Sequence, residues 1–442
     1  MCRQNATKGK HYPVWCRNEY PKYRKAEEMA KSWRLKAKEA LQRGKKRGRI
    51  DQSSFKALGF NIDPFSSDLP LEFDSAVYFD DRLEQAIDEL GTFLTPEDAF
   101  PTPTQLLVVG ANFVGKTILL QLMKEAIEED GKIGYFVDAT SLCDPDGVMA
   151  HRNFEIWKEK IDRIRPDIIL IDNAAQLIYH PTVLGLPEFE YNPVIVASIS
   201  YCELDYLEAV NNPKAQLFLE HFRVQRFYLR PVGEVAIVEH LKQRLNTAGR
   251  ADAFTKGALK EIAKLSFGLM GLAALFGSDA IDIAVSRGDE VITKNHIKEL
   301  AEHTPYSNLA TVQKLIDKSN SLNSIKTNSD PNQTWARRFL KPPKINILRQ
   351  ALRQAGRSRI EFGISSMEET AALQFGMLKV VALADALGKQ PSTLSHHLDD
   401  LKRKGFFEVY QVGREKPHYA TREVIAALEV FFDSQLPKIE ET

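Results

Sequence analysis

A chain of 442 residues with 59 basic and 59 acidic side chains is long enough for two to four domains at roughly 150 residues each. Its 43% hydrophobic and 27% charged residues are those of an ordinary globular chain, and no apolar run approaches the roughly 18 residues that cross a membrane. The zero net charge hides an asymmetry: residues 1–50 carry 16 Lys/Arg against 4 Asp/Glu, a +12 arm on a −12 remainder, so that end suits an anionic partner.

Met1-Cys2-Arg3-Gln4-Asn5 lacks the apolar core of a secretory signal. Cysteines at 2, 16, 143 and 202 are too few and too scattered for a disulfide framework, which points to a reducing, cytoplasmic setting. Cys2, His11 and Cys16 supply only part of a metal site, because structural zinc needs four ligands in tight pairs; free thiols and a solvated histidine are the better reading.

The arm, residues 1–50, mixes basic clusters with Tyr12, Trp15, Tyr20, Tyr23 and Trp33, and 26–42 can form a basic helix. It suits a phosphate backbone with stacked bases, and equally a solvated, partly disordered extension. Residues 51–75 read as an irregular connector rich in Ser, Pro and Asp. From 76 to 231 helical and short apolar segments alternate, as in βα units with a parallel sheet. The expected helices cover 80–94, 117–129 and 152–163, and the expected strands 105–109, 133–137, 168–171, 193–198 and 226–229.

Between the first of those strands and the helix after it stands Gly110-Ala111-Asn112-Phe113-Val114-Gly115-Lys116-Thr117, a complete G-x-x-x-x-G-K-T loop. Its backbone N–H groups and the helix amino terminus suit phosphate oxygens, Lys116 the β- and γ-phosphates, and Thr117 a Mg²⁺ ion. Asp172, closing the strand Ile168–Ile171, is the matching Mg²⁺ carboxylate. ATP and Mg²⁺ are the expected cofactors. Asn173 follows, and an asparagine can orient a water but cannot take its proton.

Residues 232–304 read as an all-helical lid with apolar periodicity at 235–245, 258–265, 271–284 and 295–301. Residues 305–340 are a Ser/Asn/Thr/Lys linker, 341–432 a terminal domain and 433–442 a tail. Within the terminal domain, helix 378–387, turn Gly388-Lys389-Gln390-Pro391, helix 392–403 and two strands around Gly413-Arg414-Glu415-Lys416 form a winged helix-turn-helix. In that geometry Gln390, Thr393, Ser395 and His396 face the major groove of double-stranded DNA, while Arg414 and Lys416 meet phosphate or the minor groove. A winged helix that contacts protein instead is the alternative, and the adjacent His396 and His397 diverge too far for metal ligation.

These motifs in this order resemble the AAA+ ATPases, in particular the origin-recognition/initiator branch and the related archaeal signalling ATPases. The resemblance rests on Phe79-Asp80-Asp81-Arg82-Leu83-Glu84, Gly110–Thr117, Asp172, strand Val194–Ser198, the lid and the winged helix. It implies an α/β P-loop NTPase with helical lid and C-terminal winged helix, with Arg82 beside the adenine. It also implies self-assembly as dimer, ring or filament, and a helicase or recombination partner.

Three departures weaken catalysis. Asn173 replaces the usual glutamate; the polar sensor falls to Ser200, with Tyr201 in the asparagine slot; and lid segment Gly268–Leu272 contains no arginine. A transferable arginine finger is sought in Arg223 or Arg226. The expected function is an ATP-binding, DNA-binding protein, initiator- or loader-like in replication or mobile-element transactions, with weak or assembly-dependent hydrolysis. A nucleotide-gated transcription regulator of the signalling type is the alternative.

Overall fold

Five short apolar segments assemble into one parallel sheet. The computed structural model describes residues 52–65, 105–142, 151–179, 193–222, 225–302, 306–309, 342–362, 378–409 and 418–433, with Phe189, Tyr191 and Val312. Strands β1 (Gln105–Gly110), β2 (Gly134–Asp138), β3 (Ile168–Asp172), β4 (Val194–Ser200) and β5 (Arg226–Leu229) lie in the order β2-β3-β4-β1-β5. The central strands are continuous apolar runs because both faces are covered: Leu107, Val108 and Val109 of β1 and Ile169, Leu170 and Ile171 of β3 are fully buried. The register pairs Gly110 with Ser200 and with Leu229, and Asp138 with Asp172. Gly110, Ser200, Asp172 and Asp138 therefore share the carboxyl edge, where open α/β sheets bind ligands.

Helices α2 (Lys116–Glu129) and α3 (His151–Ile164) complete the early βα units, and α4 (Tyr201–Ala209) and α5 (Pro213–His221) follow β4. The lid consists of α6 (Glu234–Thr247), α7 (Lys256–Leu265), α8 (Met270–Arg287) and α9 (Lys294–Glu302). Its helices stop and start on ordinary signals. Thr255 caps α7 by accepting from the Ala258 N–H, and Gly288 ends α8 in the left-handed conformation that glycine adopts freely.

Two expectations from composition need correction. Within the supposed connector, Gln52–Ala57 forms helix α1, and Phe55, Leu58 and Phe60 are buried. This segment fastens to the lid: Asn61 donates its N–H to Ala248 (3.0 Å), and Gly277 lacks the Cβ that would strike the Phe65 ring. The polar composition concealed three apolar residues that needed a partner surface. Likewise the expected linker opens with packed residues, since Tyr306, Leu309 and Val312 are buried and Tyr306 donates to Asp279 (2.5 Å). The expected helix at 80–94 and the arm at 1–50 lie outside the described residues.

The carboxyl-terminal region begins with the long helix α10 (Pro342–Phe362) and continues with α11 (Val380–Leu387), α12 (Pro391–Arg403), the antiparallel pair β6 (Glu408–Val409) and β7 (His418–Tyr419), and α13 (Arg422–Asp433). Leu378 adds a bridge to His418, so three short extended segments meet beside the helix pair. Leu394, Leu398 and Leu401, four and three residues apart, form the buried face of α12. Thr393 and His396, off that face, and the N-cap residue Gln390 are exposed, and Ser395 is half-buried.

Helix α10 crosses α4 with its backbone against it. A Cβ on Gly356 would overlap the carbonyl oxygen of Cys202 and lie 2.9 Å from the Glu203 nitrogen, so glycine permits this approach. Arg349 and Arg353 of α10 both grip Asp205 of α4, at 2.9 and 2.7 Å. All the described residues belong to one compact unit.

A candidate nucleotide site closed by the carboxyl-terminal helices

The loop Ala111–Gly115 leaves β1 and hands the chain to α2, with Gly115 at φ 111°, a conformation open to glycine. Thr117 Oγ1 donates to Asp172 Oδ2 (2.5 Å), which brings the expected Mg²⁺ pair together. Ser198, which the sequence placed only as part of a strand, donates to the other Asp172 oxygen and fixes that carboxylate in the sheet. One hydroxyl and one carboxylate of this kind are hard oxygen donors of the type Mg²⁺ takes, with water and phosphate filling the rest of its shell. Lys116 Nζ folds back onto the carbonyls of Gly110 and Ala111, 2.9 Å from each. Burial pushes its ammonium below the usual lysine range, and Glu429 pulls the other way.

Asn173 has a backbone reason to be asparagine. It sits at φ 53°, the left-handed region that asparagine tolerates better than glutamate. Its side chain donates to Asp138 Oδ1 (3.0 Å) and accepts from Arg359 Nη2 (3.3 Å). Ser200 is also committed. It caps α4 in a reciprocal capping box, its hydroxyl accepting the Glu203 N–H (3.4 Å) and its backbone N–H donating to Glu203 Oε2 (2.6 Å), and the hydroxyl also donates to that oxygen (2.8 Å). Tyr201 is stacked on Tyr228, with ring centroids 6.2 Å apart, so its slot is filled by packing.

The other loop residues are held from outside the sheet. Asn112 gives both its backbone N–H (2.6 Å) and its side-chain amide (2.8 Å) to Glu429 Oε2 of α13, and its side-chain oxygen accepts from Arg359 of α10. Glu429 Oε1 accepts the Cys202 N–H (2.9 Å), so one buried carboxylate joins the phosphate loop to the start of α4. Arg359 Nε donates to Glu203 (2.9 Å), and its own carbonyl is held by Gln176 Nε2 (2.7 Å). Burial works against the Arg359 charge, but Glu203 above all raises its pKa past the ordinary value. Burial also works against Glu203, and Arg359 with the Ser200 hydrogen bonds outweighs it, holding that carboxyl below its usual range. For Glu429 burial wins, and its pKa is raised despite Lys116 and the two backbone donors.

Phe113, at φ 67°, is strained for an aromatic residue, and two contacts hold it there. Its carbonyl accepts the Gly271 N–H of the lid (3.0 Å), and its ring lies 3.9 Å from the Arg422 guanidinium carbon of α13. Burial lowers the Arg422 pKa to about 10. The lid segment without an arginine thus meets the loop through backbone, and Arg359 and Arg422 bring guanidinium groups from α10 and α13.

A G-x-x-x-x-G-K-T loop after β1, with Asp172 closing β3 and β4 between those strands in the order β2-β3-β4-β1-β5, decides the class of the sheet. The fold is an open parallel α/β sheet of the P-loop kind. It is similar to that of Cdc6p from Pyrobaculum aerophilum, at 13% identity over 84% of this chain and 98% of that chain with TM-score 0.35. It is likewise similar to the RuvB Holliday junction branch migration motor of Thermotoga maritima (14%, 79% and 95%, TM-score 0.36) and to Drosophila ORC bound to DNA (13%, 85% and 91%, TM-score 0.35). No protein-family model and no curated protein matches the chain.

Beyond the loop, the candidate site draws on residues that sequence reasoning missed: Ser198, Asp138, Glu203, Arg359 and Glu429. Asp138 ends β2 and Ser198 lies two residues before the end of β4, so both were open to detection by register; Arg359 and Glu429 carried no motif. Arg226, one of the two finger candidates, is paired with Glu208 at 2.7 Å. Arg82, Arg223, Arg414 and Lys416 lie outside the described residues. Among the described residues no helix is long and apolar enough to cross a membrane, and no cluster of metal-binding side chains occurs.

Proposed function

We propose that this chain is a Mg²⁺-ATP-binding switch that gates DNA binding by its carboxyl-terminal helix-turn-helix, a winged helix. The observation that carries the reading is the bonding of Asn112, in the middle of the phosphate loop, to both Arg359 and Glu429. A triphosphate entering beside Lys116 changes the charge facing those two helices, and they belong to the same region as α12. Lys116, the loop amides, Thr117 and Asp172 bind nucleotide and metal without a general base. Asn173 and Ser200, tied into other bonds, support slow turnover, below about 1 s⁻¹.

Gln390 at the N-cap and Thr393 and His396 on α12 are exposed, with Ser395 partly so, and support groove contact by that helix. The gate works within one chain, which favours the regulator of the signalling type. Use as an initiator or loader in replication or mobile-element transactions adds assembly with neighbouring copies and a helicase or recombination partner. The deciding experiment measures duplex DNA affinity by fluorescence anisotropy at fixed salt with no nucleotide, Mg²⁺-ADP and Mg²⁺-ATP. A change of about tenfold or more between states is expected, equivalent to about 1.4 kcal/mol of coupling. Equal affinity in all three removes the gate, and mass measurement with ATP and DNA separates a monomer or dimer from a ring or filament.

A further inference from the structure

We infer that Arg359 is the γ-phosphate-sensing arginine of this protein, delivered in cis by helix α10 rather than by the lid or a neighbouring subunit. The inference rests on the phosphate-loop reading of the site. The arginine-free segment Gly268–Leu272 reaches the loop only through the Gly271 N–H, so among the contacts described the lid brings no cation there. Arg359 does come to that position. Its guanidinium spans from Asn112 Oδ1 on the loop to Asn173 Oδ1, the residue after the Mg²⁺ carboxylate, and its charge is felt by Lys116. A guanidinium reaching from the loop to that residue faces the outer end of a triphosphate whose β-phosphate rests on the loop amides.

The exchange of partners is chemically favourable. Nη1 and Nη2 are bonded to two neutral amide oxygens, while Nε stays on Glu203. Turning the two terminal nitrogens onto a phosphate oxygen replaces neutral acceptors with an anionic one, and charge-assisted bonds are roughly twice as strong. Glu203 remains as the anchor that aims the side chain. ADP offers no oxygen at that distance from the loop. The sensing is therefore specific to the third phosphate, and it moves the helix that carries Arg359.

The test is calorimetric binding of ATP and ADP to the full chain, wild type and Arg359→Ala. Loss of a charge-assisted contact lowers ATP affinity by roughly 10- to 100-fold. ADP affinity changes by less than about threefold if Arg359 serves the third phosphate alone. Equal losses for both nucleotides, or no loss for either, overturn the assignment. Arg359→Lys keeps a charge but not the planar fork, and its ATP affinity falls between the other two. If Arg359→Ala does not fold, hydrogen exchange on the wild type decides: ATP must alter exchange at 352–362 where ADP does not, and identical traces overturn the proposal. A wild type that binds neither nucleotide refutes the phosphate-loop reading itself, a distinct failure.

Discussion

Replacing Gly356 with alanine separates the docking of α10 from every charge in the site. The added Cβ would overlap the Cys202 carbonyl oxygen and lie 2.5 Å from its carbon and 2.9 Å from the Glu203 nitrogen. Ordinary contact needs about 3.4 Å or more, and the obstacle is backbone, so α10 and α4 must part by on the order of 1 Å. Overpacking of this kind costs about 1–3 kcal/mol, while alanine favours the helix itself by about 1 kcal/mol. Undocking by about 2 kcal/mol raises the open population about 30-fold. Hydrogen exchange on the full chain is the assay: amides of 342–362 exchange about 30-fold faster in Gly356→Ala, while those of α2 stay as they were. Unchanged or slower exchange in α10 would refute the reasoning, because helix propensity alone would then govern the result.

Lys116→Ala removes the ammonium from the loop and lowers Mg²⁺-ATP affinity by about 100-fold or more, as read by calorimetry; undiminished binding would place the nucleotide elsewhere. Glu429→Gln keeps the shape but removes a buried anion beside the loop, so ATP affinity rises on the order of tenfold, and a fall would make the carboxylate a ligand-supporting group. Burial, and then Arg244, lower the His240 pKa from 6.5 to about 3. Between those values the unfolded chain binds a proton that the native chain refuses, so stability is lost as pH falls below 6.5, about 2 kcal/mol by pH 5. Urea unfolding at pH 7 and pH 5 checks this, and His240→Gln must lose less over that interval. Arg414→Ala with Lys416→Ala lowers DNA affinity across sequences and reduces the salt slope by about 0.9 for each lost phosphate contact; an unchanged slope removes the wing from the interface.

The sheet was legible in the chain because its strands are apolar runs, four of the five stopping at glycine, aspartate or serine, and periodicity placed the lid helices within a few residues. The loop motif was legible because its signature is local: eight consecutive residues carry it. What closes the loop was not. Arg359 and Glu429 stand 247 and 317 positions from Asn112, in amphipathic helices where one charged residue looks like any other. Asn173 reads as a missing base until its backbone angle is seen, and the residues around Phe55 read as a connector because their polar neighbours outnumber them. Gly356 carried no signal, since a helical glycine acquires meaning only from the chain pressed against it.

Helix α10 binds at both ends. Lys344 near its start is paired with Asp400 on α12, and Arg359 near its finish reaches Asn112 and Asn173. Fifteen residues at 1.5 Å each put those contacts about 22 Å apart on a single rod. A helix resists stretching, so the spacing between the loop and α12 is set by residue count. Insertion of one residue between 344 and 359 would turn one end by about 100° relative to the other. The contacts at one end would then be kept only by surrendering those at the other, which makes the length of this segment as exacting a requirement as any side chain in it.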